Sequence, residues 1–543
     1  MLDVVDRAND ALRRGAWQDA RTLYEHALQA FETPEALEGL GEACWWLDDV
    51  VRVGEARERA YLLYRQGDDA LGAARVALAL AEDALIFRGE EAVMNGWAER
   101  ARRLLAELDP SPEHALLAVH DAFLAFMVPG DMQVARRRAT EAIELARRFE
   151  LFDLEMYARS IDGVARVRQG HVAEGMRILD EATVAATSGE MRDLTLIGYT
   201  CCFMIYGCEC VRDYRRAGQW CQRVRDFSER NGLVSLLGVC RNHYAMVLAY
   251  AGDWAAAEAE LMGAAQQLAA RPAQAAEGVA RLAELRRRQG RLDEAARLFE
   301  QVAAMPEGQI GRAMLALDHE QYGEAAWWME RLLRHIPESD RTLRANAYEI
   351  LARARALLGE IDAARQALEH VESAARDIGT VLFRAAANST SGAVALAAGD
   401  AERARTLLED AVDLFERSGM PFEAAESRRQ LSQALRMLGH ASPADAEAVR
   451  AAETLARLGA VHAEARARRE VTGSKSKPSR GALTTREIEV LRLVGEGLSD
   501  KAIAESLTIS EHTVHRHISN IFRKLDVSSR AAATAQALKS GVL

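Results

Sequence analysis

A short phrase recurs along this chain at a nearly fixed interval, and it restricts what the chain can fold into. The phrase is a glycine, an apolar residue two places on, and an alanine three places after that. It reads GAWQDA from Gly15, GDWAAA from Gly252, GRLDEA from Gly290, GEIDAA from Gly359 and GDAERA from Gly399. Looser copies are GHVAEG from Gly170, RDYRRA with Tyr214 and Ala217, and QYGEA with Tyr322 and Ala325. The markers fall near 170, 212, 252, 290, 320, 359, 399 and 439, so most steps are close to 40 residues. A period in this range signals stacked units, because one helical hairpin cannot bury its apolar face alone.

Each position of the phrase has a physical task. Glycine ends one helix, since it takes a left-handed cap at little cost. Trp17, Trp254 or Leu292 is then expected to pack under the turn. Ala20, Ala257 and Ala295 are small enough to let the next helix approach its neighbour. Apolar residues follow at helical spacing, as in Leu23, Ala27 and Phe31, or Ala295, Leu298 and Phe299. The chain has only 10 prolines in 543 residues and is rich in alanine, which favours helix throughout. The expectation is an all-α protein whose residues 1–471 form an α-solenoid. Residues 85–165 keep the helical periodicity but carry the phrase poorly.

This array resembles the tetratricopeptide repeat superfamily, in the longer-period form of large bacterial regulators of the MalT-like kind, over roughly residues 8–460. The resemblance implies a superhelix with a long concave surface that takes a peptide, a protein or a small-molecule effector. Trp45, Trp46, Trp327 and Trp328 are candidates to line that surface; packing between helices is the other role open to them. Many MalT-like regulators carry an N-terminal ATPase domain. Here the repeats begin almost at Met1, and there is no G-x-x-x-x-G-K-[ST] phosphate loop. Nor is there a G-x-G-x-x-G after a strand, an H-E-x-x-H or a G-x-S-x-G. The expectation is therefore no ATPase domain, no enzyme, no catalytic residue, no cofactor and no metal site.

Six of the seven cysteines lie at Cys201, Cys202, Cys208, Cys210, Cys221 and Cys240. They form no C-x-x-C pair and match no zinc spacing, so they read as small buried residues on helices. No stretch approaches the roughly 20 apolar residues that span a bilayer. The first residues, MLDVVDRANDALRRG, have neither a basic start nor an apolar segment of the kind a signal peptide needs. These features place the chain in the cytoplasm, with no membrane partner and, for a DNA-binding protein, at the nucleoid.

Charge is spread unevenly. Residues 472–543 hold 11 Lys and Arg against 7 Asp and Glu, a net +4, while the whole chain carries −12. An acidic body with a basic tail points to a nucleic-acid module at one end. The composition breaks at residues 472–482, TGSKSKPSRGA, which read as a flexible basic linker. Residues 483–543 then read as four short helices. Thr484 and Glu487 form a capping box, and Ile488, Leu491 and Val494 give the first helix its apolar stripe. Gly497 caps it. Ser499 caps the second helix, where Ile503, Ala504 and Leu507 face inward. Thr508 and Ile509 make a short turn, and Ser510 caps the third helix. That helix has an apolar face of Val514, Ile518, Ile521, Phe522 and Leu525. Its other face carries His515, Arg516, Ser519, Asn520 and Arg523. Apolar side chains on one face and donors on the other suit a helix lying in a major groove.

This segment closely resembles the C-terminal DNA-binding domain of the LuxR family. The matching pieces are LTTRE at Leu483–Glu487, GLSDKAIA at Gly497–Ala504, LTIS at Leu507–Ser510, TVHRH at Thr513–His517, and NIFRKLDVSSR at Asn520–Arg530. Ala502 stands where the family usually has Glu, and His515 where it usually has Lys or Arg. The resemblance implies that His515, Arg516 and Ser519 face bases. It places Lys501, Ser510, Thr513 and Lys524 near phosphates, with Arg523 on the same exposed face. Arg516 is the candidate for a bidentate contact to guanine. Glu487 is expected to anchor the domain internally. The last helix, Ser529 to Lys539, with Ala532, Ala535 and Leu538 on one side, is implied to form a homodimer. The function that follows is a sequence-specific transcriptional regulator acting on double-stranded DNA, with RNA polymerase as a further partner. The alternative is a tetratricopeptide-like scaffold whose helix-turn-helix is a docking domain.

Overall fold

The computed structural model describes residues 2–127, 131–231, 233–472 and 485–507. It also describes residues 514, 515, 517, 518, 521, 522, 527, 529, 532 and 533. Among the described residues there are 27 α-helices and no strand. The chain divides into two compact units, 1–468 and 469–543.

In the first unit the marker positions all share one backbone conformation. Gly170, Gly252, Gly290, Gly359, Gly399 and Gly439 have φ between 80° and 91°. The two markers without glycine follow them: Arg212 has φ 56° and Glu320 has φ 61°. The turn is thus a demand of the repeat, met by glycine where available and by a strained residue elsewhere. The residues after the turn behave as their sizes require. Trp17 and Trp254 are buried, Leu292 is half-buried, and Ala20, Ala257 and Ala295 are wholly inaccessible. The next helix begins with a side-chain cap in several units: Asp253 accepts from the Ala256 N–H at 3.1 Å, and Asp400 from that of Arg403 at 3.2 Å.

The phrase captures only half of the turns. Gly379, Gly419 and Gly459 also have positive φ, so from 359 to 459 a left-handed glycine closes a helix every 20 residues. The 40-residue unit is two helices with a turn of this kind after each. Residues 85–165 conform as well, with helices Glu91–Leu105, Pro112–Met127, Met132–Arg148 and Phe152–Arg168.

Counting helices in order, each odd-numbered helix from the fifth to the nineteenth touches the next odd one, whereas even-numbered helices scarcely meet one another. The odd helices therefore form the inner layer. Contacts also recur at an offset of ten helices. Ala70–Arg88 packs on Pro272–Arg288, Phe152–Arg168 on Arg341–Leu357, and Val234–Ala251 on Pro421–Met437. Five hairpins complete one superhelical turn, and successive turns stack.

Charged clasps hold the stacked turns. Arg271, 1% exposed, donates to Asp48 at 2.7 Å and to the Trp45 carbonyl at 2.8 Å. Arg168 donates to Asp340 through Nε at 3.1 Å, and Arg212 donates to Glu349 and Asn346 at 2.8 Å each. These contacts decide between the two roles open to Trp45 and Trp46. Trp45 and Trp46 do not line a concave face. They are 5% and 9% exposed, because Trp46 stacks on Trp17 and the Arg271 guanidinium lies 3.9 Å from the Trp45 ring centre. Trp327 is 48% exposed and Trp328 half-buried, with Arg331 beside both rings.

Candidate nucleic-acid interface

The second unit builds its core from the residues that the helical spacing selects. Helices Thr485–Gly495 and Asp500–Leu507 are joined by a turn at Gly497, φ 85°. The turn is closed by the Gly497 N–H donating to the Val494 carbonyl and the Leu498 N–H to the Leu493 carbonyl, each at 3.1 Å. Ser499 starts the second helix as expected: its hydroxyl accepts from the Ala502 N–H at 3.3 Å, and its carbonyl from the Ile503 N–H at 2.9 Å. Val490, Leu491, Val494, Ile503 and Ala504 make one buried cluster with Val514, Ile518, Ile521 and Ala533. Leu507 and Phe522 pack against it.

That cluster fixes the orientation of the third helical segment. Residues 514, 515, 517, 518, 521 and 522 are helical, with Val514, Ile518 and Ile521 buried and His515 exposed. His515 thus stands on the side away from the core. Lys501 is exposed on the second helix. Ser510, Thr513, Arg516, Ser519, Arg523 and Lys524 lie outside the described residues. So do Thr484, Thr508, Leu525, Ala535, Leu538 and most of the linker. Glu487 is 3% exposed, an interior position. Ser529 opens a further helical turn, its hydroxyl accepting from the Ala532 N–H at 3.2 Å.

The remaining chemistry-bearing residues lie in the first unit. All seven cysteines are free and buried or half-buried on helices. Burial pushes the Cys201, Cys210 and Cys221 thiols up to about 12, which keeps them protonated and poor as nucleophiles or ligands. Glu209, His243 and Glu277 bring one ligand atom each within 4.8 Å of one another. Arg281 already lies among them, donating to both Glu209 oxygens at 2.7 Å and also to Glu277. Against the cost of burial, Arg281 and His243 draw the Glu209 carboxyl down to about 2. The cluster is an internal ion network with its own cation in place. Sequence reasoning missed it, although the run Arg286–Arg288 beside Glu284 was a visible signal that charge enters the interior. Arg286, Arg287 and Arg288 are each at most 6% exposed and each is ion-paired, for example Arg287 with Asp318 at 2.5 Å.

Comparison with known proteins agrees with the geometry of the second unit. Residues 481–537 match the family described as bacterial regulatory proteins, luxR family. Over 66 residues the chain is 52% identical to the nitrate/nitrite response regulator protein NarP of Escherichia coli (strain K12), covering 12% of this chain and 30% of that protein. Over 59 residues it is 48% identical to the transcriptional regulatory protein DegU of Brevibacillus brevis, covering 11% and 25%. The chain thus spans less than a third of the length of either relative. Among solved structures, the APC/C hetero-tetramer Cut9–Hcn1 aligns over 86% of this chain and 95% of its own, at 14% identity and a TM-score of 0.46. Yeast Tom70 aligns over 82% and 95%, at 14% identity and a TM-score of 0.31. The C-terminal unit is a luxR-type helix-turn-helix domain, and the rest of the chain is a helical repeat array.

Proposed function

We propose that the chain is a sequence-specific DNA-binding transcriptional regulator in which the repeat array, residues 1–471, receives a ligand or a protein partner. A basic linker over 472–482 joins the array to the DNA-reading domain over 483–543. One observation carries the reading. A luxR-type segment holds its third helix to the core by Val514, Ile518 and Ile521, and this turns His515 outward. In this proposal Arg516, Ser519 and Arg523 share the groove-facing role of His515, and Thr513 and Ser510 contact phosphates. An N-terminal helix end and a row of donors suit phosphate and base edges respectively. Lys501 and Lys524 are further phosphate contacts in this proposal. The helix opened by Ser529 pairs two copies, so that two reading heads meet two half-sites.

Gel-shift titration of the full chain on genomic fragments tests the reading. Log affinity against log salt is expected to slope clearly downward, as counterions are released from phosphates. Arg516→Ala should cost about 1–3 kcal/mol on the selected site and relax the choice at one base pair. Lys524→Ala should weaken all duplexes alike and reduce the salt slope by about one. A flat salt dependence would remove DNA from the account. Equal loss on selected and scrambled duplexes for Arg516→Ala would make that residue a phosphate contact.

A further inference from the structure

Of the eight tryptophans in the chain, seven are buried or half-buried and Trp327 is exposed. It lies on Tyr322–His335, an even-numbered helix and so part of the outer layer. Ala325, Ala326, Met329 and Leu332 turn the buried face of that helix to Pro306–Asp318 and Arg341–Leu357. The opposite face carries Gly323, Trp327, Arg331 and Arg334, all exposed. Residues three and four apart are neighbours on a helix, so these four stand in one row along it.

The polar groups around this row are satisfied, and those of the row are not. Trp328 donates its indole N–H to Glu324 at 3.4 Å. The Arg312 guanidinium, 4.3 Å from the centre of the Trp328 ring, is paired with Glu300 at 2.7 Å. Arg331 lies 5.5 Å from the centre of the Trp327 ring and 5.8 Å from that of Trp328, and the two rings meet edge to face at 4.8 Å. The guanidinium groups of Arg331 and Arg334 have no carboxylate or other acceptor among the described residues, and the Trp327 indole N–H has none either. Tryptophan and arginine dominate the energetic centres of protein interfaces, since each offers a flat surface and the guanidinium fork fits a carboxylate. Gly323 supplies room. A Cβ there would meet nothing within 4 Å, so packing does not call for glycine and the place one turn before Trp327 is open. Helical side chains lean toward the N-terminus, so that opening lies on the side to which the Trp327 ring extends.

We propose that this face of Tyr322–His335 binds a short acidic segment of a partner protein, with an apolar residue against Trp327 above Gly323 and carboxylates on Arg331 and Arg334. It rests on the array being the part that receives a partner, and it puts that partner on the outer layer rather than the inner one. Charge complementarity selects the class of occupant. The unpaired cations stand at one end of the row, while Glu320 and Glu324 are exposed at the other. A polynucleotide would carry phosphates past both ends and meet those carboxylates. A peptide can match the gradient, with acids at one end and an uncharged apolar residue at the other. Arg331 and Arg334 are three residues apart, about 5–6 Å at the Cβ atoms, which suits two carboxylates of one segment.

The test is fluorescence anisotropy of a labelled peptide of leucine, proline and glutamates, titrated with the full chain at neutral pH and physiological salt. Saturable binding is expected. Arg331→Ala and Trp327→Ala should each weaken it by about tenfold or more, as for residues at the centre of an interface. Arg331→Lys keeps the charge but loses the fork, and should weaken binding by a smaller factor. Arg403→Ala, which removes an exposed arginine from the outer helix Ala401–Arg417, should leave it unchanged. All these side chains are exposed, so the thermal midpoint should barely move, which separates lost binding from lost fold. Absence of saturable binding would overturn the proposal. So would equal losses in Arg331→Ala and Arg403→Ala, which would mean general attraction to arginine. Tighter, Trp327-dependent binding of a labelled thymidine oligonucleotide would put single-stranded nucleic acid in place of the peptide. Self-association of the chain that Trp327→Ala abolishes would put a second copy there. The peptide titration contains no duplex DNA, so its failure and failure of the regulator reading are seen in different experiments.

Discussion

Gly290 and Gly399 occupy the same place in the repeat and have the same φ, 81°. Their surroundings differ. A Cβ on Gly290 would lie 2.8 Å from the His462 backbone nitrogen, whereas one on Gly399 would meet nothing within 4 Å. The same division runs through the array. Gly15 faces Asn231, Gly170 faces Arg341, and Gly252 faces Pro421 and Leu458, while Gly359, Gly439 and Gly459 are open. Each of these four covered turns is roofed by helices about ten places on; the turns of the last superhelical turn, where no helix of the array follows at that offset, are all open, as are those at Gly89 and Gly189 earlier in the chain. One residue type thus serves two purposes. In the last turn glycine is there for its backbone alone; at Gly15, Gly170, Gly252 and Gly290 it also lets another layer come close.

Three measurements bear on this difference, and the largest effect belongs to the clasps. Arg168→Ala leaves Asp340, wholly inaccessible, without its cation and should destabilise by about 3–5 kcal/mol. The exposed pair of Arg417 and Asp413 in the last turn should lose a few tenths of a kcal/mol at most when broken. Similar denaturation midpoints for Arg168→Ala and Arg417→Ala would end the distinction between stacked and open layers.

Next come the glycines themselves. Gly399→Ala should cost about 1–2 kcal/mol, the strain of a left-handed alanine. Gly290→Ala adds a steric clash with backbone and should cost roughly 2–5 kcal/mol in all. Equal costs in urea titration would mean that the roof over Gly290 yields freely. The smallest effect has the opposite sign. Glu320 holds a left-handed conformation, φ 61°, so Glu320→Gly should stabilise by up to about 1 kcal/mol. A fall in the midpoint would show that the glutamate side chain, rather than its backbone, is what the position selects.

Much of this architecture was legible because it is local. The phrase located turns even at Arg212 and Glu320, since the apolar residue and alanine after the turn survive the loss of glycine. The second set of turns, at Gly379, Gly419 and Gly459, was hidden because no such residues mark it. The stacking was hidden for a different reason. Arg168 and Asp340 are 172 residues apart, and no short-range pattern announces a contact at that range. Trp45 and Trp46 were assigned an open face as one of two roles because aromatic residues suit either; the arginine that covers Trp45 is supplied from position 271. In the C-terminal domain, Gly497, Ser499 and the Val514–Ile518–Ile521 stripe follow from capping and helical spacing. Which side chains touch DNA does not, because that depends on a partner whose shape is not encoded in the chain's own periodicity.

The offset of ten helices has a consequence for how such a chain can change over time. An unstacked solenoid is indifferent to its length; a hairpin can be gained or lost anywhere and each neighbour meets the same kind of neighbour as before. Here, removing one hairpin between residues 212 and 271 would bring all three clasps to the wrong address, one unit out of phase, at once. Arg168 would face a stranger to Asp340, and Arg212 a stranger to Glu349. The array can drift residue by residue but can gain or lose whole units there only in multiples of five, so its length is quantised.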